Sequence, residues 1–195
     1  MRISKIKKFA PSPNTLFIGT DANTGDTYNF LGSYVSGNAR GDFYSTVEHT
    51  PLTLNEIYNI PFNGTNSNFI SGFELTSNSA GEISGIKALK TGIFQIILTT
   101  NIQSTQGGTI GFWLVSGINA DTYTNIPFTG KRTITSAGAN VINTIPFKWM
   151  LKLNEGDVIQ VFFKCQTYLS TLKPLTNVTP NNSYSVQLII NEIQI

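Results

Sequence analysis

The stretch "LKLNEGDVIQVFF", residues 151–163, decides the fold class. It joins two apolar runs. Upstream, "VINTIPFKWMLKL" (141–153) puts Phe147, Trp149, Leu151 and Leu153 on one face, with Lys148 and Lys152 on the other. Downstream, "DVIQVFFKC" (157–165) puts Ile159, Val161, Phe163 and Cys165 on one face. Successive residues of a β-strand point to opposite faces, so a period of two reads as a strand with one buried side. Between the runs, Gly156 can take the positive φ that a tight turn requires. The pattern predicts two strands joined by a tight hairpin.

The same pattern extends in both directions. "TLNEIYNI" (53–60), "NFISGFEL" (68–75), "GIFQIILTTNI" (92–102), "TIGFWLV" (109–115) and "SYSVQLIINEIQI" (183–195) read as further strands. Gly, Asn, Ser and Asp clusters separate them, and "STQGGT" (104–109) reads as a second hairpin turn. Charged residues are only 12% of the chain, about half the usual share. Aromatics reach 11%, which argues against disorder. One all-β sandwich or jelly roll accounts for these runs. Ile-Pro-Phe occurs at 60–62, 126–128 and 145–147. Proline is confined to strand ends, edges and bulges, so each copy reads as a strand start or kink with an aromatic closing the core.

Residues 1–45 read differently. Apolar anchors (among them Ile3, Phe9, Leu16, Ile18 and Phe30) are scattered between turn residues such as Pro11, Gly19 and Gly32, with no sustained period. Such a segment cannot bury its own apolar groups, so it is expected to lay them on another surface as an anchoring arm. The jelly-roll head is then 46–195. Arg40-Gly41-Asp42 matches an adhesion-receptor tripeptide, but its place suggests a hinge between arm and head. Arg2, Lys5, Lys7 and Lys8 form a basic tip; removing them from the net +2 leaves the body at −2. The tip reads as a solvated terminus, and no basic stripe with interleaved aromatics in the body suggests nucleic-acid binding.

Catalytic chemistry finds little support. His49 is the single histidine, and no positioned partners are visible in the sequence around it. Cys165, in phase with Ile159, Val161 and Phe163, reads as a small buried hydrophobe. "DANTGD" (21–26) resembles half a calcium loop but lacks the full ligand pattern, so it reads as a turn. The carboxylates are scattered, and a glycosidase would need two facing each other across a cleft. No cofactor, metal or catalytic residue is expected. No run approaches about 18 apolar residues, so no membrane-inserted helix is expected. "MRISKIKKFAPSP" lacks a secretory apolar core of about 7–15 residues.

From about residue 50 the chain resembles the C1q/TNF-like jelly roll. "LKTGIFQIILTTNI" is similar to that family's Gly-hydrophobic-aromatic strand, here Gly92, Ile93 and Phe94. "TIGFWLVSGIN" resembles the strand that follows, "LKLNEGDVIQVFF" the L-x-x-G-D-x-V hairpin, and "SYSVQLIINEI" the closing strand. The resemblance implies a sandwich of about ten strands, a compact homotrimer and no enzyme activity. The arm, through "ISKIKKFAPSP", "LFIGTD" and "GDTYNFLGSYVSG", resembles the N-termini of tailed-phage virion proteins. Together these imply a virion protein made in a host cytoplasm: a head fibre, tail-fibre tip or capsid decoration. The arm would dock it onto a capsid, portal or fibre component. The head loops 117–140 and 166–182, with Tyr123, Lys131, Arg132, Tyr168 and Lys173, would face a host surface glycan or protein. The alternatives are a single-jelly-roll capsid or penton shell protein and a lectin-like carbohydrate-binding domain.

Overall fold

The computed structural model describes residues 16–20, 27–31, 39–138, 141–175 and 184–193. The chain divides into two compact units, Met1–Asn38 and Ala39–Ile195. In the first, β1 (Leu16–Thr20) and β2 (Thr27–Leu31) pair antiparallel, Leu16 opposite Leu31 and Thr20 opposite Thr27. The expected arm thus holds a hairpin, carrying Leu16, Ile18 and Phe30 on its two strands. Ile3, Phe9, Pro11 and the 21–26 turn lie outside the described residues.

The second unit contains β3 (Arg40–Ser45), β4 (Tyr58–Asn59), β5 (Gly64–Thr65), β6 (Phe73–Ser77), β7 (Ile83–Ala88), β8 (Gly92–Gln103) and β9 (Gly108–Gly117). It continues with β10 (Tyr123–Asn125), β11 (Lys131–Thr135), β12 (Ile142–Leu153), β13 (Val158–Cys165), β14 (Thr171–Leu172) and β15 (Val186–Glu192). Ten of these are three residues or longer, the number the resemblance implies. Sheet I runs β10–β9–β13–β7–β6, with β11 also on β9 and β4 on β13. Sheet II runs β12–β8–β15–β3–β5, with β14 on β8. From β7 onward the long strands alternate between sheets: β7, β9 and β13 in I, β8, β12 and β15 in II. That alternation is a jelly roll.

It also corrects both hairpins. β12 and β13 flank the Asn154–Asp157 turn, and β8 and β9 flank "STQGGT", yet neither pair shares hydrogen bonds; each turn crosses from one sheet to the other. Sheet pairing explains this. β13 lies between β9 and β7, so it has no edge free for β12. The turn itself is as expected: Gly156 has φ 92°, and Asn154 N–H donates to Asp157 Oδ2 at 2.8 Å.

The core lies between the sheets. Ile110, Phe112 and Leu114 of β9 face Phe147 and Trp149 of β12, all buried. The Phe112 ring lies 4.9 Å from that of Phe147 across the sandwich and 6.0 Å from that of Phe163 within its own sheet. Each fully buried side chain of this size contributes about 1.5–3 kcal/mol. Cys165 is buried as expected, its Sγ accepting from Ser170 N–H at 3.3 Å. The carboxylate of Glu192, at the end of β15, receives Ala39 N–H and Lys90 Nζ, each at 2.8 Å. Burial pushes the Glu192 carboxyl up. The hydrogen bonds from Lys90 and Ala39, with the Lys90 charge, outweigh that and hold it below its ordinary value.

The tripeptide Arg40-Gly41-Asp42 is not a hinge. It opens β3, which pairs along its length with β15, so the head unit begins at Ala39 rather than at residue 46. Along β3 burial alternates, with Gly41, Phe43 and Ser45 buried. Gly41 is packed against the Phe43 ring so closely that an added Cβ would stand 2.3 Å from it. Arg40 is engaged too, donating to Asn68 O at 3.0 Å and lying 5.1 Å over the Phe69 ring. The expected strand at 53–60 shrinks to Tyr58–Asn59.

Candidate functional site

His49 is the single histidine of the chain. Its Nε2 lies 2.8 Å from Ser45 Oγ, but Ser45 is wholly buried at the end of β3, out of reach of a substrate. His49 is tied by its backbone to Leu172. Among the described residues no group of three His, Cys, Asp or Glu side chains is placed to hold a metal ion. Burial holds the His49 imidazole below its ordinary pKa of 6.5. The folded chain therefore binds this proton less readily than the unfolded chain, and stability rises with pH where the unfolded state holds more protons. The His49 contribution is expected to be complete above about pH 6.5 and lost as pH falls through the lower folded value. Urea unfolding of wild type and His49→Gln from pH 7 downward checks this, and the variant should lack that part of the slope.

Two surfaces of the head remain. The first is the outward face of sheet I. Ile110, Phe112 and Leu114 point into the core, so Thr109, Gly111, Trp113 and Val115 point outward. Arg132 of β11 stands directly opposite Gly111 on one side, and Lys164 of β13 directly opposite on the other. Two cations thus flank a position with no side chain, their Cα atoms about 10 Å apart across two strand spacings. Gly111, Trp113, Gly130, Lys131, Arg132 and Lys164 line an open cleft of about 240 Å³, with no carboxylate among its lining residues. The Trp113 indole N–H donates to Asn125 Oδ1 at 3.0 Å. Its ring meets Phe162 edge-on, as does that of Tyr123.

The second surface is the outward face of sheet II. One cross-strand row runs Asp42, Ile189, Ile97, Lys148 over β3, β15, β8 and β12. The row has an acid at one end, a cation on the edge strand β12 at the other and two half-buried isoleucines between. Tyr44 and Tyr184 stack nearby with centroids 4.4 Å apart, and Met150 is 63% exposed. A cleft of about 370 Å³ lies at the Asp42 end, lined in part by Arg40, Phe69 and Ile189.

No family model matches the chain, and no curated protein matches it. Solved structures do. The Eiger TNF of S. frugiperda superposes with a TM-score of 0.51 at 12% identity, over 80% of this chain and 93% of that one. Its fold is a TNF-like jelly roll. Murine APRIL, solved at pH 5.0 and at pH 8.0, gives 0.48 at 12% identity in each case, over 80% of this chain and 100% of that one.

On this TNF-like frame the five expected loop residues separate. Lys131 and Arg132 start β11 and line the cleft on sheet I. Tyr123 lies in β10, so 117–140 is partly sheet rather than loop. Tyr168 is half-exposed. Lys173 follows β14 and pairs at 4.0 Å with Glu48, away from the cleft residues on the other sheet. Gly111, Trp113 and Lys164 were missed because they lie within strands. The available signals were a glycine inside an apolar strand, "TIGFWLV", and a lysine breaking the buried run "VIQVFFKC". Phe128, of the second Ile-Pro-Phe, is fully exposed with φ 61°, whereas Phe62 and Phe147 are buried as expected.

Proposed function

We propose that this chain is a homotrimeric, non-enzymatic structural protein of a tailed-phage virion: a head fibre, tail-fibre tip or capsid decoration. The N-terminal arm attaches it to another virion protein, and the head meets a host surface glycan or protein. The observation that carries the trimer is the row Asp42–Ile189–Ile97–Lys148. A ring of copies joins one edge of each face to the opposite edge of the next, which is a heterologous contact that closes by rotation. Here the two ends of the row bear opposite charges and the middle is aliphatic. The virion assignment rests on the motifs of the arm, above all "LFIGTD" at 16–21. Three weak sites on one rigid head, repeated over many copies, attach by avidity without one strong site.

Native mass spectrometry of the full chain tests the assembly. Three copies of 21.3 kDa are expected. A stable monomer overturns the trimer, and five copies would favour the shell-protein alternative. Removing residues 1–38 should leave the trimer intact and abolish incorporation into particles. A shortened chain that still incorporates overturns the anchoring role.

A further inference from the structure

The cleft on sheet I has the chemistry of a ligand site that neither the fold nor the trimer requires. Nine basic residues lie outside the N-terminal tip, and the body they belong to is net negative. Three of those nine line this one cleft. Elsewhere cations are mostly spent on partners: Lys87 on Glu74, Lys90 on Glu192, Lys173 on Glu48, Arg40 on the Phe69 ring. Lys131, Arg132 and Lys164 have no ion-pair or side-chain hydrogen-bond partner among the described residues. Arg132 and Lys164 share the outward face on either side of Gly111, and like charges without a counter-charge repel one another, so an anion that joins them gains from both.

Gly111 makes room for that anion. It lies in one cross-strand row between Arg132 and Lys164. Nothing forces a glycine there: a Cβ would meet only Lys131 O, at an ordinary 3.7 Å. This contrasts with Gly117 on the same strand, where a Cβ would run into the Thr122 backbone at 1.7 Å. A glycine not needed for packing inside a strand points to close approach by another molecule. Next to the cations on the outward face of β9 comes the Trp113 ring, half-buried and fixed through its N–H to Asn125. A flat apolar surface beside a cationic notch fits a compact ring that carries one acidic group.

We infer that the Gly111 notch, with Arg132 and Lys164, binds the acidic group of an anionic saccharide, and that the Trp113 ring supports the sugar. The site is complete within one protomer. It lies on the sheet opposite the proposed trimer face, so it stands or falls independently of the trimer and of the virion role.

The test uses the full chain and 3′-sialyllactose, with lactose and inorganic sulfate as comparisons. The chain has two tryptophans, and each indole N–H gives its own NMR signal. Trp149 donates to Thr129 O in the core, so its signal is an internal control. Sialyllactose is expected to shift the Trp113 signal saturably and leave that of Trp149 in place. Lactose should bind at least tenfold more weakly. Arg132→Ala and Lys164→Ala should each weaken binding about tenfold. Gly111→Glu, which sets a carboxylate between the cations, should abolish it, whereas Gly111→Ala should keep the fold and weaken binding only in part, by the methyl it adds to the notch. Thermal melts of all four variants separate lost binding from lost structure. Equal binding of lactose and sialyllactose overturns the inference. So does sulfate alone binding as tightly as the saccharide, or unchanged binding in a folded Gly111→Glu chain.

Discussion

Ile97→Asp should convert the full chain from a trimer to a folded monomer. Ile97 points away from the core of sheet II, opposite Ile189 on β15 and Lys148 on β12. Within one chain the new carboxylate would sit beside the Lys148 cation, which offsets part of the lost half-buried side chain and of the poor strand propensity of Asp, so the cost to the monomer is about 1–2 kcal/mol. Within the assembly the same carboxylate enters the aliphatic middle of each contact. A charge buried at an interface without a matched partner costs several kcal/mol, and a closed ring meets that cost at every contact. At micromolar chain concentration the loss exceeds what a modest interface can absorb, since each 1.4 kcal/mol is tenfold in affinity. Native mass spectrometry and far-UV circular dichroism on the same sample read the two halves of the outcome. A trimer that survives Ile97→Asp with its fold intact removes this face from the contact. The charged ends of the row give a second reading. Lys148→Glu should weaken assembly by setting like charges against the next copy's Asp42, and Asp42→Lys added to it should restore assembly.

The fold class was legible because burial follows period two so closely. In "VINTIPFKWMLKL" the structure buries Phe147, Trp149 and Leu153 and exposes Lys148, Met150 and Lys152. Pairing was not legible. Alternation says which way a side chain points but not which strand accepts the hydrogen bonds. Two adjacent runs with a glycine turn therefore read as a hairpin, when their inward faces in fact meet across the sandwich. β3 was missed because Arg40-Gly41-Asp42 resembles a junction by composition; its burial depends on β15, which lies at the far end of the chain. The three Ile-Pro-Phe copies make the same point. Phe62 and Phe147 fill the core, while Phe128 stands in solvent on a left-handed backbone. That region is costly for a bulky residue, so neighbouring structure must enforce it. Thr129 is part of that structure: it is buried, and its hydroxyl donates to Ile126 O at 2.8 Å. The cleft was half legible. Two of its cations fall where a polar loop was expected, but the third and the notch between them exist only through strand register.

Phe112→Ala should be the most destabilising single truncation of the neighbouring pair Phe112 and Trp113, by a wide margin. The two aromatics are consecutive on β9 and point to opposite sides of sheet I. Phe112 has no exposed surface and joins the sheets, its ring packed against Phe147 of β12 and Phe163 of β13. Truncation loses the transfer free energy of the ring and leaves a cavity that two sheets, each held by its own hydrogen bonds, can close only in part. Such a change costs about 3–5 kcal/mol. Against a total of about 5–15 kcal/mol for a domain, it would bring the head close to its threshold. Trp113→Ala removes a half-buried ring on the outer face, where water can fill the space, so it should cost about 1–2 kcal/mol. Urea unfolding at one fixed chain concentration reads both, because assembly makes apparent stability depend on concentration. The midpoints should separate while the slope stays constant. Equal losses would mean that β9 does not present Phe112 to the core. The predicted order also matters for the cleft, because Trp113→Ala must remain folded if it is to show how much the indole contributes to a bound sugar.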